Sequence, residues 1–357
     1  MSDRASRLAQ ALPGMGADLL LVTSLVNVRY LTGFTGSSAL ALVGPDMRAF
    51  VTDFRYVEQS AAEVDGAFDR VIAQQELIDM VPDLLGSGEV RLAVEDAHMS
   101  VRAHARLREL MPERVELVAG GDAIESLRAV KDADEVRRIG EAAKVADAAL
   151  RRIMEQGLAG RTEVSVAMAL ERAMEDLGAK RPSFGSIVAA GPHGALPHAQ
   201  PRNVEIGPNE LVVIDWGAEL DGYCSDCTRT LTTGDLPDAT LEAYDLVRQA
   251  QLAGLDAVTA GTGGREADSA AREVISAAGH AEHFGHGLGH GVGLEIHEAP
   301  RLSQRSDSVL SSGNVVTIEP GVYLPGQFGV RIEDLVVVTD SACTILTSVP
   351  KELITVG

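Results

Sequence analysis

The sequence predicts an α/β domain over residues 1–122 followed by an α+β domain over residues 123–357 whose layout runs twice. Three observations carry this. Short apolar runs alternate with helical patterns up to about residue 118. A glycine- and charge-rich stretch, AGGDAIESLRAVKDADE from Ala119, then marks a boundary. Beyond it, two helical stretches precede a strand pair, and the same order follows again.

Element by element, DLLLVTS, SALALVG, MRAFVTD, FDRVIA and VRLAVE read as strands, with helices near 3–12, 54–63, 75–85 and 100–111. No cluster of metal-ligating residues stands out among them. In the second part, helices near 134–155 and 162–178 lead to the hairpin LVVIDWGAELDGYCSDCTRTLTT. Helices near 239–259 and 265–278 lead to NVVTIEPGVYLPGQFGVRIEDLVVV. The residues of the two halves are not repeated, only their order.

Each hairpin carries two acids in otherwise apolar strands, where ionised groups are rarely left unpaired. Asp221-Gly222 is a two-residue turn signal. Closing the chain there pairs Leu220 with Tyr223 and Asp215 with Thr228, and makes Asp215 and Asp226 diagonal neighbours on one face, roughly 7 Å apart at Cβ. In the second hairpin Val315, Thr317 and Glu319 share a face, as do Arg331, Glu333 and Leu335. Any one of these acids alone would read as a salt-bridged or strand-edge residue. Together Asp215, Asp226, Glu319 and Glu333 carry a charge that two divalent cations would neutralise.

The stretch FGHGLGHGVGLEIHEAP, residues 284–300, holds three histidines and five glycines. His286 and His290 stand at helical i, i+4 spacing, yet each glycine costs about 1 kcal/mol inside a helix. An extended chain is expected instead, with His286, His290 and Val292 on one side and glycines on the other, open to close approach. The alternative is a glycine-rich loop with solvated histidines. Adding His290 to the acids gives an oxygen-rich set suited to Mn²⁺ or Co²⁺, with Zn²⁺ a third candidate. Two-metal sites of this kind hold ions about 3.5–4 Å apart and activate water.

Composition narrows the partners. Thirty-one basic against 52 acidic side chains repel phosphate backbones and anionic membrane surfaces, so neither nucleic acid nor membrane is an expected partner. The N-terminus has an early Asp3 and no long apolar run, and three cysteines are too few and too odd for a disulfide framework. A cytoplasmic setting is expected. Cys224 and Cys227 form a single C-x-x-C without the second ligand pair a zinc knuckle needs, and are read as structural.

DWGAELDGYCSDCTRT, GHGVGLEIHE, EPGVY and GVRIED resemble the metal-binding motifs of the pita-bread metallopeptidases, the family of methionine aminopeptidase, aminopeptidase P and prolidase. NVRYLTGFTGS is similar to the N-terminal domain of the creatinase and prolidase branch. The resemblance implies a creatinase-type N-terminal domain and a pita-bread catalytic domain with pseudo-twofold symmetry. It implies two divalent ions per chain, Mn²⁺ foremost, on Asp215, Asp226, His290, Glu319 and Glu333, with Asp226 and Glu333 bridging and Glu319 also the general base. His198 in LPHAQP and His297 in IHEAP match histidines that contact the substrate carbonyl and the tetrahedral intermediate. His286 matches one lining the site near the leaving proline, and Arg331 one that orients polar groups.

The implied activity is hydrolysis of Xaa-Pro bonds, tertiary amides whose nitrogen has no hydrogen to offer. Arg301, in HEAPRLS, resembles the prolidase arginine that holds a dipeptide carboxylate, a task suited to a guanidinium fork. The fourteen-residue interval from Glu319 to Glu333 also looks more like prolidase. The expected function is therefore an Xaa-Pro dipeptidase acting on proline-containing dipeptides or short peptides, as a homodimer. The alternative is an aminopeptidase P for longer peptides. A binding module and a metal-free creatinase-type hydrolase follow behind, because all five motif ligands are present.

Overall fold

In the computed structural model of the protein, which describes residues 4–357, the five expected N-terminal strands share one sheet with a sixth, Val115–Ala119. Spatial order is Asp69–Ala73, Arg48–Asp53, Ala39–Val43, Leu19–Val22, Val90–Val94, Val115–Ala119. ALALV, Ala39–Val43, is buried along its whole length, as a continuous apolar run in a covered sheet should be. A helix not anticipated, Leu25–Thr32, is formed by LVNVRYLT and ends at Gly33, φ 83°. Its valines and tyrosine are weak helix formers, and Ser24 makes no side-chain cap. Glu95 serves instead, accepting from Ser24 N at 2.7 Å and Asn27 Nδ2 at 2.7 Å across the fold.

The chain divides into two compact units, Met1–Arg128 and Ala129–Gly357. At the end of the first, Ile124 is buried, Glu125 accepts from Asn27 Nδ2 at 2.6 Å, and Arg128 donates to Asn27 Oδ1 at 2.8 Å.

In the second unit the repeated order appears as two helix pairs, Ala133–Glu155 with Glu163–Asp176 and Asp238–Ala257 with Gly264–Ala277. Asp132 and Glu135 close a capping box on the first helix, a device worth about 1 kcal/mol. That helix packs on a three-stranded sheet ordered Cys227–Thr232, Leu211–Trp216, Ile187–Ala190, and buried Trp216 donates Nε1–H to Ala146 O at 2.9 Å. The second half builds a five-stranded sheet from Glu298–Leu302, Gly289–Gly291, Val315–Ile318, Asp334–Val338 and Cys343–Ile345. Each half has its own apolar cluster, one centred on Leu150, Leu170 and Trp216, the other on Val247, Ile275 and Val336.

The two halves meet along Thr228–Thr230 and Arg331–Glu333. Glu333 N donates to Thr228 O at 3.1 Å, Arg331 N to Thr230 Oγ1 at 3.0 Å, and Thr230 Oγ1 to Arg331 O at 2.9 Å. All four strand acids therefore lie at or beside this seam. Among the described residues no helix is long and apolar enough to cross a membrane.

Candidate active site

The first hairpin has the register the turn dictates. Asp221 and Gly222 adopt φ 48° and 80°, Leu220 faces Tyr223, and Asp215 faces Thr228. In the second, Ile318 faces Asp334 on one side of a break and Gly321 faces Arg331 on the other, so Glu319 and Glu333 come opposite each other. Asp215, Asp226 and Glu333 bring one carboxylate oxygen each within 4.8 Å of the others. His290 Nε2 stands 3.6 Å from Asp226 Oδ2 and 3.4 Å from Glu319 Oε1. The five residues thus form two overlapping groups that share Asp226.

Burial and then the neighbouring carboxylates push Asp226 and Glu333 well above the usual carboxylate range, and burial pushes Glu319 up to about 7. Asp215 is raised by burial against the pull of Arg331. These side chains repel one another when ionised.

His290 sits in a narrow slot. A Cβ on Gly289 would lie 1.9 Å from Thr317 O, and one on Gly291 2.1 Å from Ala299 O, so only glycine lets the strands flanking His290 close up. Its Nδ1 lies 3.1 Å from Gly291 O, a pure acceptor, and therefore carries the ring hydrogen. Burial holds His290 down to about 3, hence neutral, and its Nε2 lone pair points at two carboxylate oxygens. Lone pair against anion is repulsive unless a cation lies between them. Asp215 Oδ1 is also buried with no hydrogen-bond partner. Four carboxylates and one imidazole in this state fit divalent ions.

Arg331 organises the other side. It donates Nη2 to Asp215 Oδ2 at 2.7 Å, Nε to Thr228 Oγ1 at 3.0 Å, and Nη1 to Tyr323 OH at 2.9 Å and Pro197 O at 3.1 Å. Thr228 in turn donates to Glu333 Oε2 at 2.7 Å. His286 Nδ1 donates to Gly287 O at 2.8 Å, and burial lowers this ring to about 4. Its Nε2 accepts from Tyr323 OH at 2.9 Å. Both ring nitrogens are thereby used, and His286 offers the site a ring wall rather than a polar atom.

His297 packs its ring on His290 at 4.4 Å between centroids. His198 is exposed and lies near Asp215, His286 and His297. Arg301 pairs with His290 across the strands and lies near His297 and Glu319.

Residues 137–340 match metallopeptidase family M24, and residues 4–130 match the creatinase/prolidase N-terminal domain. The chain belongs to metallopeptidase family M24. It is a metal-dependent peptidase with the pita-bread fold. An Xaa-Pro dipeptidase of Pyrococcus furiosus is 34% identical to this M24 chain, over 99% of it and 100% of the relative. Among solved structures, the Xaa-Pro dipeptidase from Bacillus anthracis superposes with a TM-score of 0.95 at 39% identity, covering 99% of both chains. The X-Pro aminopeptidase from Thermotoga maritima gives 0.90 at 34%, covering 97% of this chain and 100% of the other.

Several residues of this M24 site escaped sequence reasoning. Tyr323 stood inside EPGVY without a role, and Thr228 and Thr317 looked like ordinary strand residues, although Thr317 donates to Glu319 Oε1 at 3.1 Å. The run 284–300 is extended at Gly289–Gly291 and again from Glu298, not throughout. Around it Arg272 donates to Phe284 O and His286 O, at 2.7 and 2.6 Å, and Asp268 accepts from Leu288 N at 3.0 Å, so a helix replaces the strand ladder. The C-x-x-C thiols are buried and free. Burial pushes Cys224 up to about 12 and Cys227 well above its usual value, which makes both thiols rather than thiolate ligands.

Proposed function

We propose that this M24 peptidase is an Xaa-Pro dipeptidase. The observation that carries the reading is Arg301: its side chain is exposed, makes no hydrogen bond or ion pair among the described residues, and stands on the strand beside His290. A free guanidinium next to the carboxylate centre suits the terminal carboxylate of a dipeptide whose scissile bond lies over that centre. Likeness to the Xaa-Pro dipeptidases supports it. Likeness to an X-Pro aminopeptidase favours a second reading, in which longer peptides run past Arg301.

Asp215, Asp226, His290, Glu319 and Glu333 would hold two divalent ions. When bound, such a pair supplies Lewis-acid polarisation of the carbonyl and water activated at neutral pH. Glu319 takes a proton from the attacking water at its carboxylate and passes it to the proline nitrogen as the C–N bond breaks. His198 and His297 donate to the oxygen that gains charge, and a lost donor of this kind costs about 10²–10³ in rate. The ring of His286 walls the proline side. Arg331 keeps Asp215 and the Tyr323–His286 pair in place. The finer parts of the proposal are Mn²⁺, on the oxygen-rich donors; a homodimer, on the likeness of the N-terminal domain; and a cytoplasmic setting, on three free cysteines.

Hydrolysis of Xaa-Pro against Xaa-Pro-Yaa peptides, with Mn²⁺ added, tests the reading. A higher kcat/KM on the dipeptide is expected. Preference for the tripeptide would favour the aminopeptidase, and turnover of neither with Mn²⁺, Co²⁺ or Zn²⁺ would sink both.

A further inference from the structure

The segment GPHGALPHAQPR, residues 191–202, carries His198, yet two of its other polar side chains, His193 and Arg202, turn away to one buried acid. Glu163 is the first residue of the helix Glu163–Asp176, with a side chain 1% exposed. Its Oε1 accepts from Ala190 N at 3.0 Å and Arg202 Nη2 at 2.9 Å. Its Oε2 accepts from Arg202 N at 2.9 Å, Arg202 Nε at 3.1 Å and His193 Nδ1 at 3.0 Å. One carboxylate thus gathers both ends of the segment. Its middle is held separately, by Arg331 Nη1 on Pro197 O at 3.1 Å.

The charge state matters to this arrangement. An ionised carboxylate only accepts, and all five atoms facing it are donors. Burying such a group without partners is costly, so the donors and the acid fix one another's positions. The helix backbone adds to the tie: Val164 N donates to Arg202 O at 3.1 Å and Glu163 N to Val204 O at 3.2 Å.

We propose that Glu163 is a positioning residue for the hydrolytic reaction: by clamping Ala190, His193 and Arg202 it sets where His198 stands over the carboxylate centre. The inference rests on the role given to His198 above. Misplacing a reacting group by about 1 Å costs on the order of 10² in rate, so a clamp remote from the chemistry acts through kcat.

The test is a double-mutant cycle on the metal-loaded protein with a dipeptide substrate, combined with metal analysis and hydrogen exchange of peptides covering 190–202. Glu163→Gln places an NH₂ among donors and should lower kcat by about tenfold or more, as a displaced group does, with KM changed less than about threefold. Metal content should match the parent, and exchange should rise in 190–202 while the strands bearing the carboxylates stay protected. In the His198→Ala background Glu163→Gln should cost little more. Arg202→Gln removes only the half-exposed fork and should give a smaller loss with the same non-additivity; it serves in place of Glu163→Gln should that variant fail to fold. Losses that multiply with those of His198→Ala, or loss of metal, would overturn the clamp while leaving His198 its role. Parent-like turnover by His198→Ala would overturn both.

Discussion

Arg331 Nη2 donates to Asp215 Oδ2 at 2.7 Å and leaves Asp215 Oδ1 buried without a hydrogen-bond partner. The guanidinium so fixes which carboxylate oxygen is spent on the protein and which is left without a hydrogen bond. The same side chain reaches Thr228, Tyr323 and Pro197, a spread that an ammonium cannot reproduce. Arg331→Lys should therefore lower kcat/KM by about 10²-fold, since several buried hydrogen bonds are lost together. Steady-state kinetics check this, and parent-like values would show that charge alone suffices.

Asp226 belongs to both overlapping donor groups. Asp226→Ala should drop bound metal well below the about two ions per chain expected of a dinuclear site, with turnover near background. Chelator-treated Asp226→Ala should melt no lower than the chelator-treated parent, because a like charge has left the cluster. Metal analysis showing full occupancy, or a clear fall in Tm without metal, would contradict the arrangement.

Arg301→Ala should raise KM for Xaa-Pro far more than for Xaa-Pro-Yaa, whose carboxylate lies one residue further on. A charge-assisted bidentate contact is worth about 1.5–3 kcal/mol, so the loss in kcat/KM on the dipeptide should be roughly ten- to a hundredfold. Arg301→Lys should recover part of it. Equal losses on both substrates would tie Arg301 to the fold instead.

Asp147, buried in the helix Ala133–Glu155, accepts from Ser348 N and Oγ on Oδ2, while its Oδ1 has no partner. Burial raises its pKa. The folded state therefore holds this proton at pH values where the unfolded chain, with a pKa of about 3.9, has lost it. Stability from this group is full below that value and falls as pH rises toward the folded pKa. Asp147→Asn does not titrate, so its Tm relative to the parent should rise between pH 4 and pH 7, as read by thermal unfolding across buffers. A flat or falling difference would mean that Asp147 stays ionised in the fold.

What could be read from the sequence was local or periodic. Asp221-Gly222 sets the register that faces Asp215 with Thr228, and alternation places Glu319 and Glu333 on inward faces. The remainder depends on partners far away in the chain. Glu95 caps a helix some seventy residues before it, Arg272 and Asp268 hold the histidine-rich run, and Arg331 reaches Pro197 in the other half. Tyr323 shows the difference most simply. Its motif was visible, but its meaning lies in donating to one residue, His286, and accepting from another, Arg331, and neither hydrogen bond leaves a trace in composition or period.

Gly289 and Gly291 bind nothing and move no proton, yet the room for their missing side chains is already taken by the carbonyls of Thr317 and Ala299. A packed interior of this density has no slack to absorb even one methyl group there. In a library of random variants selected for growth on the peptidase, alanine at either position should vanish as completely as a replaced His290. A reader of such survival data alone would take two inert residues for catalytic ones.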